Sequence, residues 1–452
     1  MSTARPDATR TSLGRDFHLL WAGQSASFLG DRITLLVVPA VVVFLLGGSA
    51  LDVGVISTAQ YLAIPVLSLV AGALADQWRL RRMLIGCDLI RFVAVAIIPI
   101  AYWLGFLRMP LLFACVAMIS VATVFFNIGY VPAIPSTVPT GELVRANSRV
   151  ESSRTVAELG GPAVAGGLYQ ALGAGALLVD AVSYLISAAT IRAMRPFGER
   201  SGSKVSKVSG RRLVERAVAG ARMNWADPVL RKSTAGTLLG NIGGPIFVTQ
   251  LPVLAYQGLG LSPGAFGIVM SIAAGGAVLG ALLATRVTRW VGSGRMIGLS
   301  MVGHSAAGLG ILAAPRFPAM VVLAATLASY GLFASWYDIN SLSIRQARMP
   351  IKHQAVIHGA YRTITWGIIP ISAFAGGWIV ALLTPQLGVL DAVKYTMLAA
   401  TVIGISSIIP LAGMQRLLDT AEPMTTAEPD RDDSNAAGTE TTERPREEET
   451  VS

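Results

Sequence analysis

The sequence is poor in charged residues. Asp, Glu, Lys and Arg make up 14% of its 452 residues, and 53% of the residues are hydrophobic. A soluble globular protein carries about 25% charged residues. The shortage excludes an ordinary soluble domain and predicts an all-α membrane protein with many crossings. The net charge of +10 does not indicate nucleic-acid binding, because the basic residues are concentrated in the connections between apolar segments.

Residues that perform chemistry are also scarce. The chain has two cysteines and four histidines, and their spacing does not match a metal site. It contains no Gly-x-x-x-x-Gly-Lys-Ser/Thr phosphate loop, so ATP hydrolysis is not expected. The sequence therefore predicts neither an enzyme nor a bound cofactor or metal, and it favours transport driven by an ion gradient.

Twelve apolar segments are long enough to cross a bilayer as helices, since about 20 such residues span its core. They cover residues 18–46, 52–75, 83–105, 109–138, 154–173, 175–195, 229–256, 264–288, 295–314, 317–345, 355–383 and 389–415. With the amino terminus inside, the inner segments before the tail carry 27 basic residues and the outer connections carry 3. This bias predicts that both termini are cytoplasmic. We expect the cytoplasmic membrane as the location, with anionic lipids against the basic loops.

The chain looks like two copies of one unit. Four anchors recur at offsets of 208 to 211 residues: Asp31 with Asn241, Gly72 with Gly280, Pro139 with Pro350, and Gly166-Gly167 with Gly376-Gly377. Two such repeats predict two pseudo-symmetric six-helix halves with a site between them near the midplane. The predicted parts are an amino terminus (1–17), a first bundle (18–195), a linker with a short amphipathic helix (196–228), a second bundle (229–415) and a disordered acidic tail (416–452).

Asp31 is the leading candidate for proton coupling. It lies about twelve residues into the first segment, roughly 18 Å along a helix and close to the bilayer midplane. An ionisable group at that depth is costly unless it faces a cavity or a partner. A carboxylate there can load a proton on one side and release it on the other. The alternative is a structural ion pair with Arg32, Arg91 or Arg362.

A cluster after the second segment has the composition of a gate. Gly72 permits close helix packing, and Asp76 can accept hydrogen bonds from arginines. Basic residues follow at Arg79, Arg81 and Arg82. The alternative is ordinary positive charge on a short inner loop. Asp88 and Arg91, near the inner end of the third segment, are assigned to the same gating or structural group.

These residues resemble the loop 2–3 signature of the major facilitator superfamily. Further stretches resemble its drug and siderophore exporter branch, which includes macrolide-efflux proteins and the enterobactin exporter. They are Leu20-Trp21-Ala22-Gly23-Gln24, Asp88-Leu89-Ile90-Arg91, Val138-Pro139, Ala146-Asn147, Asp180-Ala181-Val182-Ser183-Tyr184-Leu185, Arg345-Gln346 and Gly376-Gly377. The resemblance covers residues 17–415 and implies the twelve-helix fold and alternating access.

The fifth segment resembles the antiporter motif of those exporters through Gly161-Pro162 and Gly166-Gly167. Proline removes a backbone hydrogen bond, and glycines permit bending and close packing. We therefore expect a hinge at these four residues. The sequence departs from the motif, because Ala157 stands where it has glycine and three residues separate the two pairs. A structural kink is the alternative.

Two further acids are secondary candidates for proton coupling. Asp338 lies in the tenth segment beside Trp336 and Tyr337, with Tyr330 two turns earlier. Aromatic residues with one acid suit bulky amphipathic or cationic compounds, although Asp338 can instead pair with Arg345. Glu158 precedes Gly161 by one turn and can instead pair with Arg154. The expected cavity residues are Gln24, Asn127, Asn241, Tyr330, Trp336 and Tyr337.

The predicted function is secondary active transport, as a proton-coupled exporter of a hydrophobic small molecule such as an antibiotic, drug, siderophore or other secondary metabolite. We expect the protein to act as a monomer, with substrate, protons and membrane lipids as its partners. The alternatives are a lipid or lysophospholipid transporter, uptake of a polar nutrient, and a membrane scaffold or receptor that transports nothing.

Overall fold

A computed structural model describes residues 13–75, 80–197, 210–313, 317–349 and 354–420, and these residues form helices joined by short connections. The α-helices are α1 Arg15–Ala40, α2 Ala50–Ala75, α3 Leu80–Trp103, α4 Met109–Ala133, α5 Leu143–Leu172, α6 Leu177–Ala193, α7 Gly210–Ala226, α8 Pro228–Val253, α9 Pro263–Val291, α10 Ser293–Ala307, α11 Ala319–Arg348, α12 Gln354–Gly367, α13 Ile369–Ser406, α14 Ile408–Leu411 and α15 Met414–Thr420.

Twelve crossings can be traced along these helices. Ten apolar stretches are long enough to span a membrane, and two of them, Leu143–Ala193 and Val356–Thr420, hold 51 and 65 residues. Each of these two reverses at a glycine with positive φ, Gly173 at 56° and Gly388 at 75°. Glycine adopts this backbone conformation without the steric cost that other residues pay. The predicted twelve-helix architecture in two halves is thus confirmed, whereas the cytoplasmic side of the termini stays a prediction.

The two halves share a detail of backbone geometry. Helix α1 contains Pro39 near its end and continues as a π-helical turn over Val41–Leu45. Helix α8 contains Pro252 and continues as a π-helical turn over Leu254–Gly258. In both helices the wider turn begins two residues after the proline and is closed by an amide that donates five residues back, Leu46 to Val41 and Leu259 to Leu254. The first helix of each half therefore ends in the same way.

The halves meet along two helix pairs. Helix α2 packs against the first part of α13, and α5 packs against α9. Glycines allow both approaches: Gly54 faces the Gly377 Cα, and Gly267 faces the Pro162 carbonyl and Gly166. Small residues at crossings let membrane helices come into backbone contact. These contacts lie toward the face away from the chain termini, which we call the opposite face; the other is the terminal face.

Aromatic and polar contacts also join the halves at the opposite face. The Phe44 ring centroid lies 4.9 Å from that of Tyr256. Gln257 Nε2 donates a hydrogen bond to the Gly48 carbonyl at 2.9 Å. Together with the glycine crossings, they hold the two halves together at that face.

The linker helix lies at the terminal face. The predicted amphipathic helix at 211–224 corresponds to α7, which packs against α12. Asp227, between α7 and α8, caps α8 by accepting from the Val229 and Leu230 amides. At the carboxyl end, α15 extends to Thr420, inside the range expected to be disordered, and residues 421–452 lie outside the described part.

Candidate functional site

A cavity lies between the two halves at the level of the bilayer midplane and continues toward the terminal face. One part has a volume of about 610 Å³, the other about 370 Å³. Both parts are lined by Tyr61, Val248 and Thr249, so they are continuous. The larger part reaches Arg345 and His358, close to the terminal-face ends of α11 and α12.

An ion pair forms the wall of the cavity on the first half. Arg32 Nη2 lies 2.6 Å from Glu158 Oε1, and both side chains line the cavity. Arg154 approaches the same Glu158 oxygen at 3.5 Å. Glu158, a predicted candidate, therefore faces the cavity. It contacts Arg154, the alternative partner considered from the sequence, and also Arg32. A partly exposed pair of this kind contributes little to stability.

Hydroxyl groups from three helices meet on the wall of the second half. Thr237 Oγ1 is hydrogen-bonded to the hydroxyls of Tyr337 and, at 2.9 Å, Tyr361. Nearby, Asn241 Nδ2 donates to the Thr365 carbonyl at 2.7 Å. These bonds connect α8, α11 and α12. The predicted residues Asn241 and Tyr337 both line the cavity.

Tyr330 and His304 line the part of this wall near the midplane, and the Tyr330 ring stacks on the buried ring of Phe247. The Tyr330 and Phe247 ring centroids are 5.5 Å apart, and the rings are nearly parallel. The His304 ring lies 3.7 Å from that of Tyr330 on the same side of the cavity, and its Nδ1 is 3.3 Å from the Tyr330 carbonyl oxygen. The predicted cavity residue Tyr330 is therefore in place, and His304 is held by it. This surface is suited to contact with flat apolar groups.

Charged groups line the terminal-face part of the cavity. Asp338 is exposed to it, with Arg345 and Arg362 nearby on α11 and α12. The Arg345 guanidinium stacks 3.7 Å from the centre of the Tyr361 ring. Arg362 stacks 4.6 Å from the Trp366 ring. The alternative pairing of Asp338 with Arg345 is not formed, because Arg345 Nε and Nη1 are buried without a hydrogen-bond partner.

Asp31 is placed away from this cavity. Its Oδ1 accepts a hydrogen bond from the Tyr184 hydroxyl at 2.6 Å, which directs the side chain toward α6 in the interior of the first bundle. At this level of α1, the residue that lines the cavity is Arg32, which directly follows Asp31 in the sequence. On a helix, adjacent residues point about 100° apart, so one of the two faces the cavity and the other the bundle.

Asp31 belongs to a buried polar cluster between α1, α3 and α6. Asp88 and Arg91 form an ion pair that is almost inaccessible to solvent. The Arg91 guanidinium lies 4.3 Å from the Tyr184 ring and 4.1 Å from the Phe126 ring. Tyr184 thus contacts Asp31 through its hydroxyl and Arg91 through its ring. Asp88 and Arg91 are therefore buried in the interior of the first bundle, and they do not lie at its surface, where a gate is expected.

Asp180 completes this cluster. It is fully buried and accepts hydrogen bonds from the hydroxyls of Thr34 and, at 3.1 Å, Ser183. Gly30 leaves room for it, since a methyl group there would overlap the carboxyl. We name Asp31, Asp88, Arg91, Asp180 and Tyr184 the acidic cluster. From the sequence alone, Asp180 is named only as part of a motif and is assigned no role. The feature that could have identified it is that it is an acid in the first turn of an apolar helix.

Other predicted site residues lie elsewhere. Gln24 is buried and donates to Ser187 at 3.2 Å within the first bundle. Asn127 is exposed and is not part of the cavity lining described above. Trp336 points toward α9, where Nε1 donates to the Gly280 carbonyl at 2.8 Å. These three side chains are not brought into the cavity.

Only part of the predicted gate lies within the described residues. Gly72 lies in the last turn of α2, and Asp76 and Arg79 lie outside the described residues. Arg81 donates to the carbonyls of Ile191 and Arg192 at the end of α6, where free helix carbonyls attract a cation. Arg82 is exposed. A gating role for these residues stays a prediction.

The predicted hinge lies at the junction of α5 with α1 and α9. Helix α5 stays continuous through Pro162. Gly161 packs against the Arg32 side chain, Gly166 against Pro263, and Gly167 faces open space. The Ala163 amide donates to Ser271 Oγ of α9 at 3.1 Å, across the two halves. The segment is thus a contact between the halves, and bending there stays a prediction.

Comparisons with known proteins agree with this architecture. Residues 20–373 match the model of the Major Facilitator Superfamily. The chain is similar to the solved structures of a bacterial homologue of the iron transporter ferroportin in an inward-facing state (TM-score 0.70, 16% identity, 90% of this chain and 100% of that one) and the nucleoside transporter NupG (TM-score 0.69, 14% identity, 89% and 99%). These identities establish the fold alone.

Two curated relatives are efflux proteins. Macrolide efflux protein A of Streptococcus pyogenes is 24% identical over 184 residues, which are 40% of this chain and 44% of the relative. The multidrug efflux pump Tap of Mycolicibacterium fortuitum is 28% identical over 231 residues, 49% of this chain and 55% of the relative. The chain thus spans about half the length of these relatives. On the family match and the fold, this chain belongs to the Major Facilitator Superfamily and is a multi-pass membrane transporter rather than an enzyme.

Proposed function

We propose that this transporter exports a hydrophobic small molecule, of the drug or secondary-metabolite kind, in exchange for protons. Two relatives named as efflux proteins and the antiporter-like residues of α5 support export. The cavity supports an apolar cargo, because Tyr330, whose ring stacks on the buried ring of Phe247, lines its deep part.

Alternating access supplies the transport cycle in this proposal. The halves touch at the opposite face, and the cavity continues toward the terminal face. Cargo therefore enters from the terminal face, which positive charge predicts to be cytoplasmic. Rocking about the glycine contacts then closes the terminal face and opens the opposite one.

The observation that carries proton coupling is the excess of acid in the acidic cluster. Three carboxyls, those of Asp31, Asp88 and Asp180, share one guanidinium, that of Arg91. A charged group inside a membrane protein requires a counter-ion or loses its charge by taking or releasing a proton. Within the cluster, Tyr184 connects Arg91 to Asp31, which lies next to the cavity residue Arg32. Conformational change at α1 can thus alter how many protons the cluster holds.

Purified protein in proteoliposomes tests the proposal, with a macrolide such as erythromycin and a cationic dye as cargo. Accumulation driven by a pH gradient is compared with counterflow, the exchange of labelled for unlabelled cargo without a gradient. We expect Asp31→Asn to lose gradient-driven accumulation and keep counterflow. Asp391→Asn is the control, since that acid is exposed and makes a surface contact of 3.8 Å with Lys394.

The cavity acids provide a second arm. If Asp338→Asn and Glu158→Gln, but not Asp31→Asn, uncouple transport from the gradient, the coupling site lies in the cavity rather than in the acidic cluster. If all three variants accumulate cargo as the unsubstituted protein does, none of these acids is the coupling site, and if the unsubstituted protein does not accumulate cargo under the gradient, proton coupling is refuted. A protein that moves no tested cargo by either assay would contradict export itself.

A further inference from the structure

We infer that the cavity contains a binding site for an oxyanion, built around Arg345, and that the exported cargo is an amphipathic anion. This inference rests on the proposed export and names the chemical class of its cargo. The head group it predicts is a carboxylate or a phosphate, attached to an apolar body that reaches the stacked rings near the midplane.

The first observation is that Arg345 is buried without a partner. Its exposed fraction is 7%, and the buried Nε and Nη1 atoms have no hydrogen-bond acceptor. Its described contact is the face of the Tyr361 ring, which attracts the charge but accepts no conventional hydrogen bond. A buried guanidinium without an acceptor destabilises the protein, and an arriving anion would remove that cost.

A neighbouring arginine shows what a satisfied site looks like. Arg348, one turn along α11, is equally buried and donates to both carboxylate oxygens of Asp227, with Nε–O distances of 3.2 and 3.0 Å. The fold thus supplies an acid to one of these two arginines and not to the other. Arg345 is also the one that lines the cavity.

The surroundings of Arg345 suit an anionic head group. Arg362 lines the same part of the cavity and adds a second positive charge, and the His358 imidazole lies beside it. The hydroxyls of Tyr361 and Tyr337 donate to Thr237 Oγ1, whose own proton goes to the Ser233 carbonyl, and these bonds fix the Tyr361 ring against the guanidinium. Charge-assisted bonds of guanidinium to carboxylate or phosphate are among the strongest in proteins, and their two-pronged geometry is specific.

Asp338 does not oppose this assignment. It lies seven residues before Arg345 on α11, about 10 Å along the helix axis at 1.5 Å per residue, and it faces the cavity nearer the midplane. The Asp338 carboxylate interacts with Arg345 through charge but accepts no hydrogen bond from its Nε or Nη1, so these two donors stay available to an anion. The apolar body of the cargo would pass Asp338 and reach Tyr330.

Binding to the full-length protein in phosphatidylcholine nanodiscs tests the inference. The probes share one alkyl chain and differ in the head group: octanoate, octyl phosphate and octyltrimethylammonium. Tryptophan fluorescence reports binding, because Trp366 lines the cavity. We expect both anions to bind at least tenfold more tightly than the cation. Arg345→Gln should weaken the anions by about tenfold or more, and Arg345→Lys by less, since the charge remains.

The matched control is Arg289→Gln. Arg289 is exposed on α9 and donates to the Thr285 carbonyl, away from the cavity, so anion binding should not change. A second measurement uses the unsubstituted protein: octyl phosphate should protect Arg345 from phenylglyoxal, as read by peptide mass spectrometry. This keeps the inference testable if Arg345→Gln does not fold.

Each result supports or overturns the inference. A lysophosphatidic acid bound through Arg345, with octanoate and octyl phosphate unbound, would identify a lipid head group as the source of the anion. Equal binding of cation and anions, or anion binding unaffected in Arg345→Gln, would overturn it even if export is observed. Arg345-dependent anion binding without gradient-driven export would instead uphold this site and refute the proposed function.

Discussion

The two halves repeat one fold and distribute charge in opposite ways. The first half places its acids inside the bundle, where Asp88 pairs with Arg91 and Asp180 accepts bonds from hydroxyls. The second half places arginines and aromatic rings against the cavity, with Arg345 over Tyr361. The same helix arrangement can therefore support two tasks, and the proposals above assign ion exchange to the first half and cargo binding to the second.

The repeated anchor Asp31 and Asn241 shows how the halves diverged. Asp31 accepts a hydrogen bond from Tyr184 on α6, inside its bundle. Asn241 donates to the Thr365 carbonyl on α12 and lines the cavity. Equivalent positions on α1 and α8 thus contact different helices. Repetition of a sequence signature preserves the helix and its depth, whereas the neighbours of the side chain decide its role.

The strongest test of this contrast removes one buried arginine from each half. Arg91→Gln leaves Asp88 buried without its cation and should destabilise the protein by about 3–5 kcal/mol. Arg345→Gln removes a buried charge whose Nε and Nη1 have no hydrogen-bond acceptor in the described part of the chain, so it should leave stability unchanged or raise it. Thermal unfolding in nanodiscs, followed by intrinsic fluorescence, compares the two. Equal losses would show that the halves do not differ in this respect.

A pair of isosteric changes sharpens the comparison with smaller effects. The Thr34 hydroxyl donates to a carboxyl group, and the Thr237 hydroxyl bonds to two tyrosine hydroxyls. Hydrogen bonds to charged groups contribute about 1.5–3 kcal/mol and neutral ones about 1 kcal/mol. Among the described residues Asp180 has no ion-pair partner, so it should be protonated and its bond from Thr34 should be a neutral one. Thr34→Val removes that one bond and should therefore lower the unfolding midpoint less than Thr237→Val, which removes two. The reverse order would indicate that Asp180 is ionised in the resting protein.

The next prediction concerns the Tyr184 hydroxyl, which connects Asp31 to the other residues of the acidic cluster. Tyr184→Phe removes the donor and keeps the ring against Arg91. Loss of a bond worth about 1–1.5 kcal/mol should slow gradient-driven transport by about fivefold to tenfold. The initial rate in proteoliposomes measures it, with Tyr395→Phe, an exposed tyrosine, as control. An unchanged rate would separate Tyr184 from coupling.

The smallest expected effect concerns the ion pair on the cavity wall of the first half. Arg32 and Glu158 are 30% and 41% exposed, so their coupling energy for stability should be below about 1 kcal/mol. A double-mutant cycle of Arg32→Gln and Glu158→Gln, measured by unfolding, gives that energy. A value above about 2 kcal/mol would mean that the pair is shielded like the buried pair of Asp88 and Arg91.

The fold was predictable because each membrane crossing can be identified from its own stretch of sequence. Segment length, apolar content and recurring anchors predicted twelve crossings, and the structure confirms them through the reversals at Gly173 and Gly388. Each crossing must bury its own backbone hydrogen bonds within a helix, so local sequence suffices to predict it. The amphipathic helix α7 was predictable for a different local reason, the helical spacing of its apolar residues.

The site was predictable only in part. Glu158, Asn241, Tyr330, Tyr337 and Asp338 line the cavity, as the sequence suggested. Trp336 does not, because its indole bonds to α9. Whether a residue faces the cavity or its own bundle depends on a rotation of about 100° per residue about the helix axis, and an apolar membrane helix carries little periodic signal to indicate that rotation.

The amino-acid sequence by itself determined that this chain crosses a membrane twelve times in two related halves, since hydrophobicity and helix length are properties of each segment. Only the tertiary structure decided that Asp31 points into its bundle while Arg32 faces the cavity, and that Arg345 lacks the acid that Arg348 has. Those outcomes depend on which helices come together, because a buried charge is defined by its neighbours and not by its own identity.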